Sequence, residues 1–239
     1  MKNVTPYHSE ESKKSQVEDM FDNIAPKYDL LNHVLSMKID VLWREKLVKW
    51  MRKDEPKEVL DVATGTGDLA IAVHKATNAQ IVGMDLSQQM LNVGIKKIKK
   101  LGLDSKISMQ KGDAENLDFE DNRFDALSVA FGVRNFENLP KGLSEMRRVI
   151  KPGSSAYILE FSKVEGILGP LYMFYFKNIL PLIGRLVSKD NRAYTYLPDS
   201  VNAFPYGEKM KSILLEAGYS KVEYKTLSLG IATIYKATK

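Results

Sequence analysis

The chain has 239 residues, of which 44% are hydrophobic and 27% charged, so it can bury a globular core without cross-links. It contains no cysteine, which excludes a disulfide scaffold, thiolate metal ligands and a cysteine nucleophile. The net charge of +5 favours an anionic ligand or surface. The polar N-terminus and the lack of a long apolar run predict a cytoplasmic protein without a membrane span.

Apolar spacing and turn residues predict that strands and helices alternate along most of the chain. A helical region at 13–53 is interrupted at Pro26. The predicted strands are 58–62, 80–84, 107–110, 124–130, 156–161, 221–227 and 230–237, and the further helices are 69–76, 88–101, 137–150 and 207–217. The alternation predicts an α/β fold with a parallel sheet and helices on both faces. The tight junction between the last two strands predicts an antiparallel edge hairpin.

The residues after the first three strands form a candidate cofactor site, because parallel sheets bind ligands at the carboxyl ends of their strands. Gly65 and Gly67 let the chain turn sharply after the first strand. Asp85, at the end of the second strand, can accept both hydroxyls of a ribose. Asp113, after the third, can accept from the amine of adenine, and the Ala114 amide can donate to a ring nitrogen. A tight turn or a helix cap would explain any one of these residues, but their combination favours a nucleotide-type cofactor.

With these features the chain resembles the class I S-adenosylmethionine (SAM) methyltransferases. The stretch 59–67, VLDVATGTG, matches their first motif, with Ala63 in place of the first glycine. The resemblance implies a Rossmann-like, mixed seven-stranded sheet and SAM as the cofactor. It places Thr66 and the glycines at the methionine side, Asp85 at the ribose and Asp113 at the adenine. The cofactor-binding residues that it implies are Asp61, Gly65, Thr66, Gly67, Asp85, Leu86, Asp113, Ala114 and Ala130.

Three further stretches narrow the resemblance to the quinol C-methyltransferases of menaquinone and ubiquinone biosynthesis (the UbiE/MenG type). They are 21–36, FDNIAPKYDLLNHVLS, 130–135, AFGVRN, and 148–162, RVIKPGSSAYILEFS. The similarity extends from about residue 21 to residue 237, and it departs from the usual pattern at Leu31, Asp40 and Ser154. The resemblance implies methylation of demethylmenaquinol to menaquinol, with 2-methoxy-6-polyprenyl-1,4-benzoquinol as the alternative substrate.

A quinol that loses a phenolic proton is itself a carbon nucleophile, so the protein needs only to handle the proton and the phenolate charge. Arg134 can stabilise the phenolate and Asn135 can orient the quinol. The candidate catalytic residues are Arg134, Asn135, His33 and Tyr28, with Asp29 and Asn32 beside them, and no metal ligand is predicted. The alternatives are a packing histidine at His33 and a salt bridge at Arg134. A second histidine, His74, lies on a helix and is predicted to be exposed.

Other classes fit the pattern less well. An NAD-dependent oxidoreductase could use the same sheet and Asp85, but position 70 lacks the third glycine and no YxxxK dehydrogenase pattern is recognisable. A nucleic-acid amine methyltransferase would carry an (N/D/S)PP(Y/F/W) motif after the fourth strand, where FGVRN stands instead. A protein that only binds a ligand would leave the cofactor residues unexplained.

A single domain, 1–239, is predicted with four parts: a helical cap (1–53), a SAM-binding core (54–161), an apolar lid or insert (162–206), and a C-terminal helix with edge strands (207–239). The apolar segment 164–197 predicts a cover for a polyprenyl tail, or an ordinary helical cover of the sheet. Basic residues in and beside this segment predict contact with anionic lipid; they are Lys163, Lys177, Arg185, Lys189 and Arg192. The predicted partners are a polyprenyl quinol and the membrane surface but not nucleic acid, with a homo-oligomer left open.

Overall fold

A computed structural model describes residues 4–7, 9–30, 36, 38–164 and 192–239. The helices within these ranges are α1 Lys13–Ile24, α2 Ile39–Met51, α3 Asp68–Thr77, α4 Gln88–Lys100, α5 Leu139–Val149, α6 Arg192–Ala203 and α7 Glu208–Glu216. The strands are β1 Glu58–Val62, β2 Gln80–Asp85, β3 Ile107–Lys111, β4 Phe124–Ala130, β5 Ile150–Phe161, β6 Lys221–Leu227 and β7 Ala232–Thr238.

Side-chain caps set the beginnings of three helices. Ser12 accepts from the Ser15 amide at α1 and Asn138 from the Lys141 amide at α5. Ser87 caps α4 by accepting from the Met90 amide, as its sequence position predicts. These oxygens accept from amides that have no partner within the helix, so each cap fixes the residue at which its helix begins.

One seven-stranded sheet organises the chain, in the order β3-β2-β1-β4-β5-β7-β6. The first five strands in this order pair in parallel, whereas β7 is antiparallel to both β5 and β6. The predicted α/β fold and antiparallel edge hairpin are therefore confirmed. From β1 the chain adds β2 and β3 on one side, and from β4 it adds β5 on the other side. The strand order therefore reverses between β1 and β4, and open parallel sheets bind their ligands at such a reversal.

Hydrophobic cores cover both faces of the sheet. Leu60 and Leu127 face a core with α5 and α7, whereas Val59 and Ala126 face a core with α2 and α3. This alternation follows from the two-residue period of a strand. A third cluster packs α1 against Met90 of α4 and reaches α6, so the N-terminal helix lies over the carboxyl edge of the sheet.

Two predicted strand boundaries and one burial prediction are wrong. Strand β5 begins at Ile150, not at 156, because Ile150 pairs with Phe124 and a register shift follows. Strand β7 begins at Ala232, since the turn Ser228–Gly230 before it has left-handed backbone. His74 is only 9% exposed, and its Nδ1 lies 2.8 Å from the Ala79 carbonyl oxygen. It therefore belongs to the core side of α3.

No helix among the described residues is long and apolar enough to cross a membrane. Most of the predicted apolar segment 164–197 lies outside the described residues, as do His33 and Asn32. The division of the chain into four parts stays a prediction.

Candidate active site

The loop after β1 turns through three left-handed residues. Gly65 and Gly67 have φ of +57° and +82°, a region that glycine enters without strain. Ala63, which stands for the first glycine of the motif, has φ of +51° and so holds an uncommon conformation for a residue with a Cβ. The Thr64 amide donates to the Met84 carbonyl at 2.9 Å and anchors the loop to β2. The turn brings the amide of Gly65 to the end of the neighbouring strand.

Asp61 supports this loop from behind. It is 1% exposed, and it accepts hydrogen bonds from Thr64 Oγ1 at 2.6 Å and from Ser128 Oγ at 2.5 Å. Burial raises the pKa of Asp61 to about 6. Its carboxylate joins the loop to β4 and does not line the cavity described below.

Asp85 ends β2 with both carboxylate oxygens oriented by backbone amides. Oδ2 accepts from the Gly65 amide at 2.8 Å and Oδ1 from the Ser87 amide at 2.9 Å. Burial raises the pKa of Asp85 to about 6, and these amides oppose that rise. The side chain remains partly exposed, so it presents a fixed hydrogen-bond acceptor beside the glycine loop.

Asp113 provides a second carboxylate beyond β3. Its Oδ1 accepts from the Glu115 amide at 2.9 Å, and its Oδ2 lies 2.6 Å from Lys14 Nζ of α1. The same Lys14 ammonium lies 3.8 Å from Glu115, and the contact with Asp113 raises the pKa of Lys14. Helix α1 thus contacts the part of the site predicted to hold adenine.

One open cavity joins these groups. Its wall includes six of the predicted cofactor residues, which are Gly65, Asp85, Leu86, Asp113, Ala114 and Ala130. Phe21 of α1 and Tyr28 contribute aromatic surface, and a Cβ on Gly65 would lie 3.9 Å from Tyr28 Cε1.

Thr66 and Gly67 do not line this cavity. Gly67 instead caps α3. Thr66 Oγ1 donates to Asp29 Oδ1 at 2.5 Å, and Lys97 Nζ lies 2.6 Å from Asp29 Oδ2. Lys97 also lies 2.7 Å from Asp68. This network ties the N-terminal region to the loop beside the site.

The residues 131–136, here called the β4 turn, form another side of the cavity. Phe131 has φ of +58°, an outlier for a bulky residue, and its carbonyl accepts from Arg134 Nη1 at 2.5 Å. Asn135 lines the cavity, and its Oδ1 accepts from Tyr196 Oη of α6 at 3.1 Å. Burial raises the pKa of Tyr196 to about 12, so this hydroxyl is protonated and donates.

Arg134 lies behind the cavity wall and forms a buried ion pair with Glu160 of β5. The two side chains are 8% and 1% exposed, and Nη1 lies 2.8 Å from Glu160 Oε1. Burial raises the pKa of Glu160, whereas Arg134 opposes that shift. Arg134 Nε is buried and has no hydrogen-bond partner among the described residues. Buried donors are rarely left unpaired, so a partner for this N–H has to lie outside the described residues.

Sequence reasoning did not identify four residues that shape this site: Lys13, Lys14, Glu160 and Tyr196. An acidic residue within the apolar strand YILEF was a signal for Glu160, since a buried carboxylate needs a partner. The two lysines and the tyrosine lie far along the chain from their partners and carry no such signal.

The residues present fit an adenosine cofactor. Asp85 offers fixed acceptors for two ribose hydroxyls, while Asp113 and the Ala114 amide offer an acceptor and a donor for adenine. The described residues contain no group of three or more histidine or acidic side chains that could hold a metal ion.

Comparison with known proteins gives the same class. A family model described as the ubiE/COQ5 methyltransferase family matches residues 9–239. A Bacteroides fragilis protein named demethylmenaquinone methyltransferase is 50% identical over 238 residues, covering 99% of this chain and 97% of that protein. A protein of the same name from Porphyromonas gingivalis is 43% identical, covering 99% and 98%.

Solved structures share the fold at low sequence identity. The crystal structure of the cyclase SpnF has a TM-score of 0.71 at 18% identity, covering 99% of this chain and 97% of that chain. A SAM-dependent methyltransferase from Aquifex aeolicus has a TM-score of 0.55 at 23% identity, covering 77% and 82%.

The sheet order, the glycine loop and the two carboxylates of the cavity define a class I SAM-dependent methyltransferase. Within that class, the chain belongs to the ubiE/COQ5 methyltransferase family. The resemblance to the class I SAM methyltransferases and the narrower resemblance to the UbiE type are therefore both confirmed. The alternative of an NAD-dependent oxidoreductase is set aside.

Cofactor affinity is expected to fall as the pH drops below about 6, because burial raises the pKa of Asp85 to about 6. The carboxylate accepts from two hydroxyls only when ionised, which is its form above the pKa. Affinity is therefore full above that pH and decreases about tenfold per pH unit below it. Titration calorimetry with S-adenosylhomocysteine across this range tests the effect, with Asp85→Asn as the control that lacks the transition. A pH-independent affinity of the unmodified protein would contradict it.

Proposed function

We propose that the chain transfers a methyl group from SAM to a ring carbon of demethylmenaquinol and produces menaquinol. The observation that carries the proposal is the full-length match to proteins named demethylmenaquinone methyltransferase, at 50% identity for one of them. The cavity supports it, because the cofactor-type wall around Asp85 continues into an aromatic wall with Phe131 and Tyr28. One cleft can thus align a flat ring with a sulfonium.

SAM, when bound, supplies an activated methyl group as a sulfonium. Asp85 and Asp113 fix the adenosine, and the protein's main contribution is to align the quinol carbon for in-line displacement. The phenolate formed by loss of a quinol proton to solvent activates the adjacent ring carbon. As the carbon–methyl bond forms, the sulfur–methyl bond would break, and the ring carbon then loses its own proton to solvent, which restores the aromatic quinol. No protein nucleophile is required, which agrees with the absence of cysteine.

We assign stabilisation of the phenolate to Arg134 and orientation of the quinol to Asn135 and Tyr28. The unpartnered Nε–H of Arg134 supports the first assignment, since a charged donor in a buried site stabilises a developing oxyanion strongly. The positions of Asn135 and Tyr28 on the cavity wall support the second. Glu160 holds the guanidinium in place through its contact with Nη1.

Quinone extraction from cells that lack the protein, followed by mass spectrometry, tests the proposed substrate. We expect demethylmenaquinone to accumulate and the normal product to return with the unmodified gene. Accumulation of 2-methoxy-6-polyprenyl-1,4-benzoquinone instead would assign the alternative substrate. Unchanged pools of both quinones would refute the proposal.

We extend the proposal to peripheral membrane contact, because a polyprenyl quinol is a membrane lipid. Leu229 supports this: it is 79% exposed in the turn between β6 and β7. That turn lies at the carboxyl end of β5, since Ala232 pairs with Phe161. A leucine presented at the site edge can enter a bilayer interface.

Replacing Leu229 by serine is expected to weaken binding to anionic vesicles about tenfold, the cost of losing one buried leucine. Leu215→Ser is the matched control, since Leu215 is 42% exposed on α7, which precedes the end of β6 that lies away from the Leu229 turn. Vesicle co-sedimentation measures both variants. Equal binding of the two variants would contradict the assignment. Light scattering on the same preparations tests for the homo-oligomer.

A further inference from the structure

Lys13, the first residue of α1, buries its ammonium group against the backbone of the β4 turn. Lys13 is only 7% exposed. Its Nζ donates to the Arg134 carbonyl at 3.1 Å and to the Phe136 carbonyl at 2.9 Å. Burial and the nearby Arg134 lower the pKa of Lys13, while Glu115 and Glu137 oppose this. Burying an ammonium is unfavourable unless it is hydrogen-bonded, so these two hydrogen bonds offset the cost of its burial.

One of these carbonyls, that of Arg134, lies within the 3-10 turn Val133–Asn135, and the other, that of Phe136, follows it directly. This turn carries the Arg134 guanidinium and the Asn135 amide, the two groups that the proposed function uses. At its other end Phe131 holds a left-handed backbone, a conformation that persists only where the surroundings fix it. The ammonium restrains the part of the turn at Arg134 and Phe136, and it comes from a residue 121 positions earlier in the chain than Arg134.

The neighbouring residue contacts a different part of the site. Lys14 Nζ lies 2.6 Å from Asp113 in the cofactor half of the cavity. The Lys13 amide also donates to Glu137 Oε1 at 2.9 Å, just beyond the β4 turn. Consecutive lysines of α1 thus hold two separate walls, Lys14 the cofactor wall and Lys13 the turn.

We propose that Lys13 is a positioning residue that aligns Arg134 and Asn135 through the backbone of the β4 turn. This inference rests on the proposed function, since it assigns the turn a role toward the quinol. Lys13 does not contact the cofactor wall. Its loss therefore affects turnover and the mobility of the turn, and not the affinity for cofactor.

The test compares Lys13→Met, Lys13→Gln and Lys13→Arg with Lys14→Met and with Lys99→Met, an exposed lysine of α4. We measure S-adenosylhomocysteine affinity by calorimetry, kcat with a short-chain demethylmenaquinol, and amide hydrogen exchange across residues 131–136. Lys13→Met is expected to lower kcat about 10- to 100-fold, as small misalignments do, with faster exchange in the turn. Its cofactor affinity should remain within about twofold of the unmodified protein.

Lys13→Arg, which retains buried donors, should recover most of the turnover, and Lys13→Gln should be intermediate. If Lys13→Met does not fold, the glutamine and arginine variants carry the comparison. Lys14→Met is expected to weaken cofactor binding without faster exchange in the turn, and Lys99→Met to change nothing. Unchanged exchange and kcat in the Lys13 variants, or a loss of cofactor affinity like that of Lys14→Met, would overturn the proposal. Exchange and affinity need no quinol, so a wrong substrate assignment is distinguishable from a wrong role for Lys13.

Discussion

Replacing Asp85 by alanine is expected to weaken SAM binding about 100-fold. The carboxylate can accept two charge-assisted hydrogen bonds from a ribose, each contributing about 1.5 kcal/mol, and about 3 kcal/mol corresponds to that factor. Its oxygens are already oriented by the amides of Gly65 and Ser87, so little ordering free energy opposes binding. Calorimetry with S-adenosylhomocysteine measures the change directly.

Two controls separate this effect from damage to the loop. Asp104→Ala removes an exposed carboxylate elsewhere on the same protein and should leave affinity unchanged. Thermal unfolding of Asp85→Ala shows whether the fold survives the loss of the contact to Gly65. A folded variant that binds the cofactor as tightly as the unmodified protein would remove the cofactor assignment.

Replacing Arg134 by lysine is expected to lower kcat about 100- to 1,000-fold, the usual cost of removing one donor to a developing oxyanion. Lysine keeps the positive charge beside Glu160 but lacks the planar guanidinium and its Nε–H. Cofactor affinity should change little, because Arg134 does not line the cavity. Single-turnover kinetics with saturating cofactor measures the chemical step.

Because the ion pair is buried, Arg134→Met alone would leave Glu160 without its partner, which typically costs about 3–5 kcal/mol. The matched variant is Arg134→Met with Glu160→Gln, which removes both charges together. It should fold, bind cofactor and remain inactive. Full turnover by Arg134→Lys, or by this double variant, would show that the pair is only structural.

The gathering of Gly65, Asp85 and Asp113 around one cavity was predictable because its signals are local. Strands β1, β2 and β3 are neighbours in the sheet and run in the same direction. The glycine loop after β1, Asp85 at the end of β2 and Asp113 after β3 therefore lie at one edge of the sheet. Residues that project into that edge, such as Leu86 and Ala114, follow from the same register. Asp61 sits on β1 as predicted, but its contacts to Thr64 and Ser128 direct it away from the cavity.

The side of the cavity formed by the β4 turn depends on contacts between distant residues. The Arg134–Glu160 pair, the Tyr196–Asn135 hydrogen bond and the Lys13 contacts to the β4 turn join separate elements. No periodicity or motif spacing encodes such pairs. The burial of His74 is a similar case, since only the packed position of α3 brings its ring to the Ala79 carbonyl.

The central claim, methylation of a quinol ring carbon by this chain, is tested most directly with purified components. The protein is incubated with demethylmenaquinol and with SAM that carries an isotopic label in its methyl group. The extracted quinone is then analysed by tandem mass spectrometry. We predict one labelled methyl group on the ring of menaquinone, and much less label with Asp85→Ala when SAM is kept below its dissociation constant for that variant. Label on a phenolic oxygen, or no label in the quinone while the unmodified protein binds both ligands, would contradict the account.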